Sequence, residues 1–350
     1  MAYKVLILGA SYGSLLGTKL AMAGHDVDLV CRAATAELIN SEGTEVRIAL
    51  RGEDHHRSIR SGDLPGKIRA VTPDQAKPDA YDLIALAMQE PQYGADGVRP
   101  LMAAIAASGR PCLSIMNMPP LPFLRRIKGV DHATLEEAFA SPRVWDGFEP
   151  GLMSLCSPDP QAFRPPEEKA NVLHVGLPTN FKAAAFADAR HNTMLRQMEA
   201  DIAAVTIEGK DVPVKLRVFD SLFVPLAKWS MLLTGNYRCI TSGEARPIRE
   251  AVHSDLTQSR AIYEHVDAIA RKLGADPADQ VPFEKYAKAA EGLLKPSSAA
   301  RAVAAGATQI ERVDKVVQKL GQAAGMPMAE IDAIVATVDA KLAQNQKNAA

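Results

Sequence analysis

The chain has 350 residues, 47% hydrophobic and 23% charged, with a formal net charge of −1. That length suits two domains with sizeable cores. The balanced charge, with no basic block, excludes a broad electrostatic nucleic-acid footprint, and no stretch reaches the ~18 apolar residues of a membrane span.

Tyr3–Leu8 (YKVLIL) is a continuous apolar run, the pattern of a strand buried on both faces of a parallel sheet. Residues 9–13 form a glycine-containing turn, and residues 15–23 read as a helix stopped by Gly24. Val27–Cys31 is a second strand. Residues 44–71 hold short β-like pieces, VRIAL and KIRAV, around a charged stretch at 53–60 that includes His55 and His56. Residues 81–87, 94–107 and 111–115 read as strand, helix and strand. This alternation predicts an α/β fold with a Rossmann-type doubly wound parallel sheet. Residues 118–180 form a proline-rich connector, with a helix near 133–139 and a strand at 171–175. From residue 183 the chain reads helical, over 183–204, 214–234, 248–273, 284–294, 299–324 and 329–344, with a frayed tail. The expected division is therefore a dinucleotide-binding domain with its connector at 1–180 and an all-helical domain at 181–350.

The amino terminus enters a strand with no leader pattern, so a cytoplasmic location is expected. Cys31, Cys112, Cys156 and Cys239 lie far apart and form no CxxC pair. That is the pattern of reduced thiols, not of a disulfide frame or a zinc site. No histidine pair, His174 included, has metal-ligand spacing backed by a third candidate, and no metal is expected.

Gly9-Ala10-Ser11-Tyr12-Gly13-Ser14 follows a strand and opens a helix, which is the context that gives a glycine turn its meaning. Gly9 suits the tight turn and Gly13 the approach of backbone to a pyrophosphate. Ser11 and Ser14 offer hydroxyl donors beside Tyr12, and Gly17 permits close packing of helix on strand. The second strand ends Val30-Cys31-Arg32, where an NAD site would carry an acid for the ribose hydroxyl. A guanidinium there suits a 2′-phosphate, so NADP(H) is the expected cofactor. In the helical half, Lys228 and Asn236 lie eight residues apart on one face of an apolar helix. Lys228 on such a helix either snorkels to the surface or serves, desolvated, as a general acid or carboxylate binder.

Over most of its length the sequence resembles the ketopantoate reductase (2-dehydropantoate 2-reductase) family. The resemblance rests on GASYGSLLGTKLAMAGHDVDLVCR at 9–32, Ser114-Ile115-Met116-Asn117, Lys228-Trp229-Ser230-Met231-Leu232-Leu233-Thr234-Gly235-Asn236, and Ser297-Ser298 followed by Thr308-Gln309-Ile310-Glu311 and Gly325-Met326-Pro327. Glu264 sits on a helix similar to one carrying a family glutamate. The resemblance implies hydride transfer from NADPH to the carbonyl carbon of a 2-oxo acid, with Lys228 as general acid. It implies that Asn117 serves both cofactor and catalysis, that Asn236 holds substrate, that Ser298 bonds the substrate carboxylate, and that the protein is a homodimer.

Four departures accompany it. The glycine turn is one residue short of the family's GAGAIG. Gln89 stands where the family has a cofactor-facing Lys, and Leu232 replaces the first Asn of KxxxNxxxN. Gln309 stands where an acidic residue binds the substrate hydroxyl, and is taken as the substrate contact. Glu311, two residues along a helix, would lie about 200° away and is not expected to replace it. Two alternatives follow: a reductase for a bulkier 2-oxo acid or an imine, and a non-catalytic NADP-binding sensor.

Overall fold

The computed structural model describes residues 2–349, and the chain folds as two compact units. The first takes in the segment up to Met88, Gln92–Met116 and Arg143–Asp220. The second takes in Gln89–Pro91, Asn117–Pro142 and the chain from Ser221 onward.

The first unit holds all the strands among the described residues. They are β1 (Lys4–Leu8), β2 (Asp26–Val30), β3 (Glu45–Ala49), β4 (His56–Arg60), β5 (Ile68–Val71), β6 (Leu83–Leu86), β7 (Cys112–Ile115), β8 (Met153–Ser157), β9 (Gln161–Phe163), β10 (Val172–Leu177), β11 (Phe181–Ala184), β12 (Thr206–Ile207), β13 (Lys210–Asp211) and β14 (Leu216–Phe219). The main sheet has the order β14-β11-β8-β7-β6-β1-β2-β5, all parallel except β11 against β8. β1 pairs with β2 on one side and β6 on the other, so the strand order reverses there, and a doubly wound sheet binds ligands at the carboxyl end of such a strand. A second sheet runs β4-β3-β10-β9. The charged stretch at 53–60 is thus partly β4, with Glu53 bonded to Arg57 and Lys210.

Helices α1 (Gly13–Met22), α2 (Ala33–Glu42) and α3 (Arg99–Ser108) belong to the first unit. After α4 (Leu121–Leu124) and α5 (His132–Leu135) of the second unit, α6 (Ala189–Ala204) returns to the first. The helix expected at 183–204 is present as α6 but starts later, the helix expected at 214–234 gives way to β14 at its start, and the boundary expected near 180 falls at Asp220. Phe181–Ala184 has little intrinsic strand preference, but β8 and β14 flank it and pairing overrides propensity.

Lys19 on α1 is only 2% exposed and donates to the carbonyls of Val212 (3.3 Å) and Pro213 (3.0 Å). Those carbonyls precede Val214, a β-branched residue held at φ 63°. Burial, with the Lys215 charge second and Asp211 opposing, lowers the Lys19 ammonium to about 7. The unfolded chain then binds more protons than the folded one between pH 7 and 10.5, so this group makes stability rise with pH across that window. Lys19→Met should flatten the rise, which in chemical denaturation at several pH values amounts to a few kcal/mol. Parallel curves for the two proteins would count against it.

The second unit holds helices and no strand among its described residues. It holds α7 (Lys228–Met231), α8 (Ile248–His253), α9 (Leu256–Lys272), α10 (Phe283–Ala290), α11 (Ser298–Ala304), α12 (Val313–Ala323) and α13 (Ala329–Ala349). Its core gathers Trp229, Leu233, Val266, Ile269, Val313, Val316, Val317 and Val338. The helix expected at 299–324 is two helices with a non-helical link at 305–312, and the tail expected to fray is the end of α13. No helix among the described residues is long and apolar enough to cross a membrane.

Candidate functional site

Two constellations stand out, one in each unit. In the first unit, β1 ends at Leu8 and the turn begins at Gly9, whose φ of +106° only glycine adopts freely. A Cβ on Gly9 would meet the Ala87 carbonyl oxygen at 2.7 Å, and one on Gly13 would meet Ile7 Cγ2 at 2.6 Å. Both glycines therefore admit neighbouring protein, whereas Gly13 was expected to admit a pyrophosphate. The Gly9 amide donates to the Val30 carbonyl (3.0 Å), which seats the turn beside the end of β2.

The side chains of the turn divide into committed and open. The Ser14 hydroxyl is buried and donates to the Ala10 carbonyl, so it cannot supply the phosphate donor expected of it. Tyr12 donates from its hydroxyl to the Pro160 carbonyl (2.6 Å) and sets its ring edge-on to Phe181, away from the expected cofactor role. Ser11 is exposed with no protein partner for its hydroxyl. Among the described residues no protein group accepts from the amides of Ser11, Tyr12 and Gly13, while the next two, Ser14 and Leu15, are used within the turn. The first turn of α1 carries no acid. Orphan donors at the N-terminus of a ten-residue helix fit a phosphate group, so the backbone suits a dinucleotide even where the side chains do not.

In the second unit, Asn117, Lys228 and Glu311 converge, with Glu90 behind them. Lys228 opens α7, and the helix passes into a π turn at Leu232–Asn236 before a tighter turn at Tyr237–Cys239. That π turn alters the even two-turn spacing expected between Lys228 and Asn236. Both remain half-buried, with Trp229 and Leu233 packed into the core. The π turn has a visible cause. The Tyr286 hydroxyl donates to the Met231 carbonyl (3.1 Å) and occupies the place where a Cβ on residue 235 would lie, 2.0 Å from it.

The helix expected over this segment kept Glu311 from simply taking the place of Gln309. Glu311 lies in the link between α11 and α12, where the helical rotation does not apply. Three contacts pin that link. The Tyr237 hydroxyl donates to the Glu311 carbonyl (2.5 Å) and accepts from the Val313 amide (2.9 Å). The Arg312 amide donates to Met118 Sδ (3.3 Å), one residue from Asn117. The buried Arg312 guanidinium forks onto Asp314 (3.0 and 2.9 Å) and also pairs with Asp339.

Burial pushes the Glu311 carboxyl up to about 7, with the Glu90 charge adding to the rise. The Glu90 amide, the Asn117 side chain and the Lys228 charge oppose it. Glu90 is 1% exposed and accepts from the amides of Ala140 (3.1 Å) and Ser141 (3.5 Å), and burial raises its carboxyl too. The Asn117 side chain donates to Glu311, leaving Oδ1 buried and unpartnered. The cluster can hold a proton at either Lys228 or Glu311 and offers one free acceptor at Asn117.

The remaining expected residues are less engaged. Ser298 is exposed at the start of α11, and its neighbour Ser297 is the buried one, capping α11 and donating to the Asn236 carbonyl (2.7 Å). Gln309 is exposed, as is Gln89, and Glu264 pairs with Arg260 on the surface. Arg32 is exposed at the start of α2. Glu90 and Tyr237 were not anticipated. The sequence signal for Glu90 is a lone acid after the apolar run of β6, and for Tyr237 its place directly after Asn236.

No protein-family model and no curated protein matches the chain. Solved structures do match it along its whole length. A 2-dehydropantoate 2-reductase from Methylococcus capsulatus is 15% identical, covering 98% of this chain and 97% of that one, with a TM-score of 0.68. A ketopantoate reductase from Ralstonia eutropha JMP134 is 19% identical, with coverage of 98% and 99% and a TM-score of 0.64. A D-mandelate dehydrogenase in complex with NADH is 14% identical, with coverage of 97% and 99% and a TM-score of 0.63.

Proposed function

On the ketopantoate reductase fold that this chain adopts, we propose that it is an NADPH-dependent reductase of 2-oxo acids. The observation that carries the reading is the convergence of Lys228, Asn117 and Glu311 in one half-buried polar cluster. A nicotinamide cofactor, when bound, supplies the hydride. Lys228 holds a proton at Nζ and donates it to the carbonyl oxygen as negative charge develops there. Glu311, neutral below about pH 7, holds the proton that restores the Lys228 ammonium. Asn117 keeps Glu311 oriented through its amide, and its Oδ1 accepts from a donor on the ligand. Orphan amides at the α1 N-terminus hold the cofactor's pyrophosphate.

The structural relatives include both ketopantoate reductases and a mandelate dehydrogenase. Leu232 is 3% exposed where the family pattern has Asn, and Gln309 is exposed. These two positions favour a 2-oxo acid bulkier or less polar than 2-dehydropantoate. The test is a panel of 2-oxo acids, with 2-dehydropantoate and benzoylformate among them, followed by loss of NADPH absorbance. Turnover of at least one supports the reading. Tight NADPH binding with no turnover across the panel would support a sensor instead.

Glu311 sets the expected pH profile. Reduction should fall above pH of about 7 as its proton is lost, and Glu311→Gln should abolish that limb while lowering kcat by roughly 10- to 100-fold. Because its folded value lies above the ordinary 4.5, the folded state holds more protons between pH 4.5 and 7, and this group's contribution to stability declines as pH rises through that window. An unchanged pH limb in the variant would remove Glu311 from the proton path.

A further inference from the structure

We propose that Arg164 is a second cofactor-reading guanidinium, which together with Arg32 clamps the 2′-phosphate of NADP(H). This deepens the proposed function and rests on its nicotinamide cofactor. Arg164 follows β9 in the proline-rich stretch, far in sequence from the glycine turn. The fold nevertheless brings its Nη2 within 2.9 Å of the Ala10 carbonyl, to which it donates. Ala10 directly follows Gly9, whose amide is bonded to the Val30 carbonyl at the end of β2. Arg32 lies two residues beyond Val30 and starts α2, so both guanidiniums border the same corner of the sheet.

Three further observations describe that corner as an anion site. Arg164 is half-buried, and among the described residues neither it nor Arg32 pairs with a carboxylate, although most arginines of this unit do. Burial lowers the Arg164 guanidinium from its ordinary value, and the Arg32 charge adds to the fall while Cys31 opposes it. Like charges brought together without a counterion cost free energy that a bound dianion would recover. Lastly, α2 begins with no side-chain cap and no acid in its first turn, so its amides add to the positive field.

A 2′-phosphate is the anion that fits. It projects from the ribose at the end of β2, whereas the pyrophosphate belongs to the α1 amides around the turn. A guanidinium gives a phosphate two parallel donors, and the bond to Ala10 fixes the orientation of the Arg164 fork.

The experiment is calorimetric titration of the full chain and its variants with 2′,5′-ADP and 5′-ADP, which needs no substrate. The unsubstituted protein should bind 2′,5′-ADP at least 10-fold more tightly. Arg164→Gln, which keeps a donor for the Ala10 carbonyl, should weaken 2′,5′-ADP by roughly 10-fold or more and leave 5′-ADP within about twofold. Arg164→Lys should fall between, because it keeps charge and loses the fork. An equal loss of both ligands in Arg164→Gln would mean that Arg164 only shapes the turn, and the clamp would be overturned. Unchanged 2′,5′-ADP affinity would overturn it as well. Failure of the unsubstituted protein to distinguish the two nucleotides would instead remove the NADP preference in the proposed function.

Discussion

Lys228→Met should lower kcat for 2-oxo acid reduction about 1,000-fold while the Kd for NADPH stays within about twofold. Methionine keeps the apolar stem that a helix-borne lysine lays along its neighbours, so packing beside Trp229 is retained and the charge alone is removed. The size of the effect comes from the dual role of the group. Its proton completes the reaction, and its charge stabilises the developing alkoxide in a half-buried site where the field is stronger than in water. Glu311 would then be left without the cation that favours its ionised form, and its titration should move further up. Since the two residues act as a unit, Lys228→Met combined with Glu311→Gln should lose far less than the product of the single effects. Single-turnover rates and a fluorescence titration with NADPH check both halves. A rate within tenfold of the unsubstituted protein would end the assignment.

Gly235→Ala is the second large effect, and it acts through the backbone. A Cβ there would sit 2.0 Å from the Tyr286 hydroxyl and 3.1 Å from Ile248 Cγ2. Tyr286 cannot swing away cheaply, because its ring stacks on Tyr263 at 5.5 Å and its hydroxyl satisfies the Met231 carbonyl. Overpacking of this kind costs about 3 kcal/mol, read as a loss of denaturation midpoint. Activity should fall too, since the π turn sets the direction in which Asn236 and Tyr237 leave the helix, and Tyr237 holds Glu311. Adding Tyr286→Phe removes the overlapping oxygen. The double variant should therefore be more stable than Gly235→Ala alone, although each single change is destabilising. Strict additivity would show that the hydroxyl is not what the glycine accommodates.

Much of the fold was legible because its signals are local. β1, the glycine turn, α1 and β2 follow one another within 30 residues, and each is marked by composition: an uninterrupted apolar run, a glycine at a left-handed position, and a helix stopped at Gly24. The second half was harder. Residues 181–219 contain helix-forming alanines and lysines, and what makes β11 a strand is a neighbour, β8, more than 20 residues upstream, with β14 pairing in turn on β11. Helix 299–324 failed for a related reason. Its pattern is apolar enough to continue, but Gly306 turns the chain at φ +90° and Arg312 gains more from its fork onto Asp314 and its bond to Asp339 than from another helical turn.

The sequence by itself determined the strand–glycine turn–helix–strand unit and the class of sheet, and it singled out Lys228, and through the family resemblance Asn117, as polar groups to watch. These rest on short-range pattern or on motifs whose residues lie close together in the chain. Only the tertiary structure decided which of the polar side chains are committed to protein partners. It committed Ser14 and Tyr12 to the protein's own carbonyls and left the amides of Ser11, Tyr12 and Gly13 without an acceptor among the described residues. It also brought Glu311, Glu90 and Arg164 to places that their positions in the chain do not foretell. Most buried polar groups find a partner, and which partner is near depends on packing between segments far apart in sequence.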